Sequence, residues 1–189
     1  MTQPPSQTPE TVLRNYFHAK DENRPDLMRA VFCENATLRM RVNTAGITFP
    51  EVSQGLAAIT EVLVRNFGLT YENVRSFYLD RPAALVAEFS CDWLVGMSER
   101  ASGNVRVGCG RYDWKFQPSR PRLAMELLIT IEIMQVLPSS HLERVRAWFR
   151  QLPYPWTSAG AVVAAAPALD VLIPVLQYLQ SDEAKPNRA

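Results

Sequence analysis

Four stretches in the middle of the chain, near residues 70–80, 83–95, 105–117 and 122–136, read as long extended segments, and in the last three apolar and polar side chains alternate. A period of two is what a strand with one buried face requires, because successive side chains point to opposite sides of the pleat. The gaps between them hold turn chemistry: Asp80-Arg81-Pro82, Ser102-Gly103-Asn104 and Pro118-Ser119-Arg120-Pro121. Proline presets φ for a turn, and glycine tolerates the left-handed backbone that a reversal needs. Connections this short cannot carry the crossover that joins parallel neighbours, so the segments are predicted to form an antiparallel meander.

Ahead of the meander the period is helical. Thr8 is placed to cap a helix with Pro9 at its first position, and Val12, Leu13, Tyr16 and Phe17 recur at helical spacing as far as about Lys20. Pro25 opens a second, short helix with Leu27, Met28, Val31 and Phe32 on one face. From Ala36 to Val42 the period drops to two, with Ala36, Leu38, Met40 and Val42 opposite Thr37, Arg39 and Arg41. Ser53 is read as the cap of a third helix, whose buried stripe is Leu56, Ile59, Leu63 and Phe67 and whose stop is Gly68. Beyond the meander, Ser140-His141-Leu142-Glu143 matches a capping box in front of Val145, Trp148, Phe149 and Leu152.

Several function classes are excluded by charge and by missing motifs. Twenty Lys and Arg against nineteen Asp and Glu leave a net charge of +1, so no global field draws the chain to a phosphate backbone or an anionic membrane, and nucleic acid is not an expected partner. Cys33, Cys91 and Cys109 are odd in number and form no Cys-x-x-Cys pair, which suits buried reduced thiols in a cytoplasmic protein and no metal centre. There is no phosphate loop, nucleophile elbow or zinc-ligand spacing, so no cofactor is expected. Met1 to Pro9 lacks the basic start and apolar run of a secretory signal and reads as a loose leader. Ala159 to Leu179 is mostly apolar, but Asp170 and Gln177 lie inside it and Pro167 and Pro174 interrupt it. A carboxylate near mid-span costs roughly 3 kcal/mol in a bilayer. The segment is therefore expected as a helix kinked at Pro174, packed on the domain or on a partner subunit rather than inserted in a membrane.

Two segments carry a resemblance to a known family. Asp26-Leu27 through Phe32-Cys33-Glu34-Asn35-Ala36-Thr37-Leu38 resembles a passage of aspartate, helix, Phe, acidic turn and Ala-Thr, and Gly55-Leu56-Ala57-Ala58-Ile59 resembles a helix start of Gly, three residues and Ile. Both passages, and the order of elements over roughly residues 8–137, are similar to the nuclear transport factor 2-like superfamily. That group includes ketosteroid isomerases, polyketide cyclases of the SnoaL type, scytalone dehydratases and limonene epoxide hydrolases. The resemblance implies an α+β fold: a cone-shaped, strongly curved antiparallel sheet wrapped around N-terminal helices, with a blind apolar pocket on its concave side and, here, an extra C-terminal helical segment. Residues 1–155 would form the cone domain, and residues 156–189 an apolar helical extension and polar tail. The ketosteroid isomerase tyrosine falls on Tyr16. The strand-one base falls on Met40, whose thioether cannot take a proton from carbon. The later acid falls near Tyr112, which can donate a hydrogen bond but is no base near neutral pH.

Strand parity supplies an independent set of pocket residues. Phe89, Cys91, Trp93 and Val95 share one face, as do Gly108, Gly110, Tyr112, Trp114 and Phe116, and Leu127, Ile129, Ile131 and Ile133. If these faces meet the helices, then Tyr16, Met40, Phe67, Phe89, Trp93, Tyr112 and Trp114 converge on one aromatic-lined pocket for a small apolar or aromatic ligand. The alternative is an isomerase, dehydratase or cyclase using Tyr16, Tyr112 and Asp92, the last turned inward by a β-bulge. His18 is expected half exposed and His141 solvated. Charges on the opposite faces, among them Arg111, Asp113, Lys115 and Glu126, are expected as cross-strand ion pairs on a surface suited to a second subunit, which with the apolar tail predicts a homodimer. A protein-interaction module working through that surface or the tail is a third reading.

Overall fold

The structure, a computed structural model, describes residues 7–181. The leader read over Met1 to Pro9 lies outside the described residues as far as residue 6, but Pro9 is buried at the start of the first helix; the polar tail beyond Ser181 also lies outside them. Helix α1 (Pro9–Asp21) opens as its sequence predicts: the Thr11 N–H donates to the Thr8 hydroxyl at 3.2 Å, and Pro9 occupies the first turn, where its missing N–H costs nothing. A 3-10 turn (Pro25–Ala30) leads into β1 (Phe32–Val42) and the short β2 (Val52–Gln54). One helical stretch follows, made of α2 (Leu56–Thr60), a π-helical turn (Glu61–Asn66) and α3 (Phe67–Thr70). The meander is β3 (Tyr71–Tyr78), β4 (Glu88–Glu99), β5 (Val105–Phe116) and β6 (Ala124–Leu137), after which come α4 (Leu142–Arg150), α5 (Ala159–Ala165) and α6 (Ile173–Gln180).

Two expected N-terminal caps and one expected helix stop do not form. Ser53 lies within β2, and the helical stretch instead opens at Gly55, whose φ of +87° is open to glycine and strained for other residues. Gly68 sits inside α3 and stops nothing. The capping box at Ser140–Glu143 does not form, because Ser139–His141 makes a 3-10 turn and α4 starts without a side-chain cap.

The six strands form one open sheet in the order β2-β1-β6-β5-β4-β3. Every pairing is antiparallel except β1 with β6. That pair is parallel because the helical stretch and the meander together supply the long return path that a parallel neighbour needs. Between β5 and β6 the register slips: Cys109 pairs with Ile133 and Gly110 with Ile131, so Glu132 is the extra residue of a bulge. The bulge corrects the parity reading of this strand. Leu127, Ile129 and Ile131 point inward, but beyond Glu132 it is Met134 that points inward and Ile133 that turns to the outer face. Gly110 sits opposite the bulge, where the Thr130 carbonyl comes too close for a Cβ.

The sheet separates two cores. The inner one packs α1, β1 and the helical stretch against the concave face. The outer one is built from Phe77, Leu94, Val105, Val107, Cys109 and Leu137 of the sheet, covered by Val145, Trp148 and Phe149 of α4 and by Val162, Leu172, Val175 and Leu179 further on. The C-terminal segment thus lies on its own sheet. The Trp148 indole ties it down, donating to the Val162 carbonyl at 3.0 Å. Pro174 does not kink a continuous helix: the chain is extended at Ala166 and again at Leu169, and Pro174 stands in the first turn of α6, where proline is tolerated. No helix among the described residues is long and apolar enough to cross a membrane.

Candidate functional site

Tyr16 and Lys20 stand one helical turn apart on α1 and therefore share a face. With Met40 of β1, Leu63 of the π-helical turn, Phe67 of α3, Trp93 of β4 and Tyr112 of β5, they line a cavity of about 50 Å³ on the concave side. Ile47, Phe49 and Phe67 also line a groove of about 290 Å³ that runs along the helical stretch as far as Tyr71. A water molecule occupies about 30 Å³ in the liquid, and pockets for small organic ligands usually exceed about 300 Å³. The inner cavity alone admits little more than solvent, whereas the groove approaches ligand size. The three shared side chains are the partition between them.

Five of the seven residues drawn from parity and helical spacing reach this cavity: Tyr16, Met40, Phe67, Trp93 and Tyr112. Trp114 belongs to the same aromatic cluster one layer deeper, edge-on to Tyr16 at 5.3 Å and stacked with Phe32 at 5.8 Å. Phe89 is half-buried at the rim of the cluster. Asp92 is not among the cavity residues. The β4–β5 register runs unbroken from Glu88 to Ser98, so no bulge turns Asp92 inward, and it is buried on the outer face with an Arg111 guanidinium nitrogen 3.9 Å away. Arg111 also reaches Asp113, at 3.3 Å, and Lys115 pairs with Glu126 across strands at 3.2 Å. His18 is exposed on a Glu22 carboxylate at 2.7 Å, and His141 lies in the 3-10 turn before α4.

The buried phenols and the Cys91 thiol of the inner core are weak acids made weaker. Burial pushes the phenols of Tyr16, Tyr78 and Tyr112 well above their ordinary value of 10.0, and for Tyr16 a hydrogen bond from Tyr112 offsets part of the rise. Burial, followed by the negative charge of Asp92, raises the Cys91 thiol as well. None of these groups is a base near neutral pH. Among the described residues no three His, Cys, Asp or Glu side chains stand together in a metal-ligand group.

The residue that sequence reasoning missed is Lys20. Its ammonium is buried, 2.6 Å from an Asp21 oxygen and 2.7 Å from the Ser76 hydroxyl, and lies 5.1 Å from the centre of the Phe67 ring. Asp21 is fixed in turn, accepting from the Ser76 N–H at 2.7 Å and from its hydroxyl at 2.9 Å. The signal was present in the spacing, since Lys20 follows Tyr16 by four residues, but a lysine at a helix end is ordinarily solvated. Trp93 supplies a second polar group: its indole N–H, like those of Trp114 and Trp156, is buried with no hydrogen-bond partner among the described residues, and of the three only Trp93 lines the cavity.

An open, curved sheet wrapped on one side around an N-terminal helix and a helical stretch is an arrangement with known counterparts. Among solved structures, an NTF2-like superfamily protein from Salmonella enterica subsp. enterica serovar Typhimurium str. LT2 is similar over 66% of this chain and 88% of its own, with a TM-score of 0.51 and 15% identity. This is the nuclear transport factor 2-like fold. An NTF2-like protein from Burkholderia thailandensis E264 is similar over 66% of this chain and 90% of its own (TM-score 0.51, 13% identity). A type 2 hexachlorocyclohexane dehydrochlorinase is similar over 67% of this chain and 84% of its own (TM-score 0.54, 10% identity). No protein-family model matches the chain, and no curated protein matches it in sequence. At such identities the likeness is one of fold alone.

Proposed function

We propose that this nuclear transport factor 2-like protein binds a small apolar or aromatic molecule in its concave pocket, the ligand displacing Phe49 and Phe67 so that cavity and groove become one site. The observation that carries this reading is the shared wall of Ile47, Phe49 and Phe67 between an aromatic-lined cavity and a groove of about 290 Å³. Apolar side chains dominate the lining, and the burial of apolar ligand surface supplies the driving force. An isomerase, dehydratase or cyclase would need a base in the pocket, and Asp92 stands on the opposite face of the sheet. A cytoplasmic homodimer belongs to the same reading. Its contact surface would be the part of the outer face that the C-terminal helices leave uncovered, around Arg39, Glu88, Asp113, Lys115 and Glu126. Light scattering at a monomer mass near 21.3 kDa across micromolar concentrations would reject the dimer.

Thermal melting with ethylbenzene, naphthalene and indole tests the ligand site. At least one should raise the melting temperature of the wild-type protein, and Leu63→Trp, which fills the inner cavity, should abolish the rise. No shift with any of the three, in a protein whose melting is cooperative, refutes the pocket as a site for purely apolar ligands.

A further inference from the structure

The cavity lining is apolar but not neutral in its hydrogen bonding. Trp93 is 4% exposed, and its indole N–H has no partner among the described residues. An indole can only donate, so what it lacks is an acceptor. Lys20 is 7% exposed and uses two of its three donors on Asp21 and Ser76. The remaining N–H belongs to an ammonium that lines the same cavity. The Asp21 carboxylate balances the charge of Lys20, while its own oxygens are taken up by Lys20 and by the Ser76 N–H and hydroxyl. The other side chains facing the space are the two phenols, three methionines and hydrocarbon. Besides the two phenols, which can donate or accept, the lining therefore holds two groups that only donate, the Trp93 indole and the Lys20 ammonium, and no carboxylate acceptor.

We propose that the ligand carries a hydrogen-bond-accepting oxygen, a carbonyl or a carboxylate, on its apolar body, and that the Trp93 indole N–H and the Lys20 ammonium receive it. This rests on the small-molecule reading above and adds the chemistry of the ligand's polar end. A ligand ending in an amine would bring donors to donors and a positive charge to a lysine, so the same groups select against it. A ligand without a polar end would leave the Trp93 N–H as it stands, and would lose in affinity what the acceptor gains.

Four probes of nearly equal size separate the possibilities by calorimetric titration: acetophenone, benzoate, ethylbenzene and benzylamine. Acetophenone or benzoate should bind about tenfold or more tightly than ethylbenzene, with benzylamine weakest, and the stronger of the first two tells a neutral acceptor from an anionic one. Trp93→Phe should bring the ratio of acetophenone to ethylbenzene towards one. Lys20→Met should do so for benzoate, and circular dichroism and cooperative melting establish that each variant is folded. Because Asp21 depends on Lys20, Trp93→Phe alone decides the matter where Lys20→Met does not fold. Equal binding of all four probes by the wild type overturns the acceptor proposal and leaves the ligand pocket standing. Binding of none of them, together with no melting shift from naphthalene or indole, removes both.

Discussion

Replacing Leu172 by alanine tests whether the C-terminal segment is part of the folded unit. Leu172 is fully buried in the outer core, in a 3-10 turn that enters α6, and it is followed there by Val175 and Leu179. The substitution removes three carbons, worth roughly 0.8 kcal/mol each in transfer, and leaves a cavity that the rigid sheet beneath can only partly close. A loss of about 3 kcal/mol follows, which in a protein of this length lowers the melting temperature by roughly 6–12 °C. The assay is thermal melting by circular dichroism, with limited proteolysis at a temperature below the transition. Because the segment packs on its own sheet, the fall should be the same from about 1 to 100 µM protein. A contact made by exchange between subunits would instead make the size of that fall depend on concentration. A shift under about 2 °C, with the segment cleaved as readily in the wild type as in the variant, would refute the idea that the outer core is a cooperative part of the fold.

Other positions give outcomes of different kinds. Gly96→Ala places a Cβ 2.5 Å from the Phe149 ring, which is itself edge-on to Phe77 at 5.2 Å, so the variant should lose about 1–3 kcal/mol and recover part of it with Phe149→Leu, read by denaturant titration. The buried phenols of Tyr16, Tyr78 and Tyr112 have raised pKa values in the folded state, so their contribution to stability is intact below about pH 10 and is lost as pH climbs above it. Tyrosinate absorbance should then appear together with unfolding rather than before it. Glu10 behaves in the opposite sense: its hydrogen bond from Arg81, with Arg14 beside it, lowers its pKa from the ordinary 4.5, so its contribution is present above that pH and is lost as pH falls through the folded value. Glu10→Gln should flatten part of the decline in melting temperature between about pH 5 and 3.

The strands and their turns were legible because period two and Gly/Pro punctuation are local signals. The segment read at 105–117 appears as Val105–Phe116, and Thr8-Pro9 starts α1 where its side chains require. What escaped was set by tertiary contact. The bulge at Glu132 has no mark in the sequence of β6; its trace lies on the other strand, in Gly110, which makes room for the Thr130 carbonyl. Missing it moved Ile133 to the wrong face. The parity of β4, uninterrupted, put Trp93 inside and Asp92 outside as read. Ser53 and Ser140 resemble caps by type and position, yet pairing of β2 with β1 claims the first and a 3-10 turn the second. Of the cavity, the aromatic lining could be read from spacing; spacing also put Lys20 on the face of Tyr16, but not its burial, which depends on Asp21 and on Ser76, 56 residues away.

An open sheet has two raw margins, and each is a template on which a foreign strand can grow. In this protein one margin is β2, only three residues long and too short to hold an intruder. At the other, residues 155–157 run alongside the end of β3: the Tyr78 N–H donates to the Pro155 carbonyl at 2.8 Å and the Thr157 N–H to the Tyr78 carbonyl at 2.9 Å, while the Trp156 ring stacks on Tyr78 at 4.9 Å. The segment that leads to the C-terminal helices therefore also serves as a hem. A chain that ended before it would bare that stretch of backbone, and the first fault to expect is the addition of strands from neighbouring molecules, ahead of any loss of the inner core.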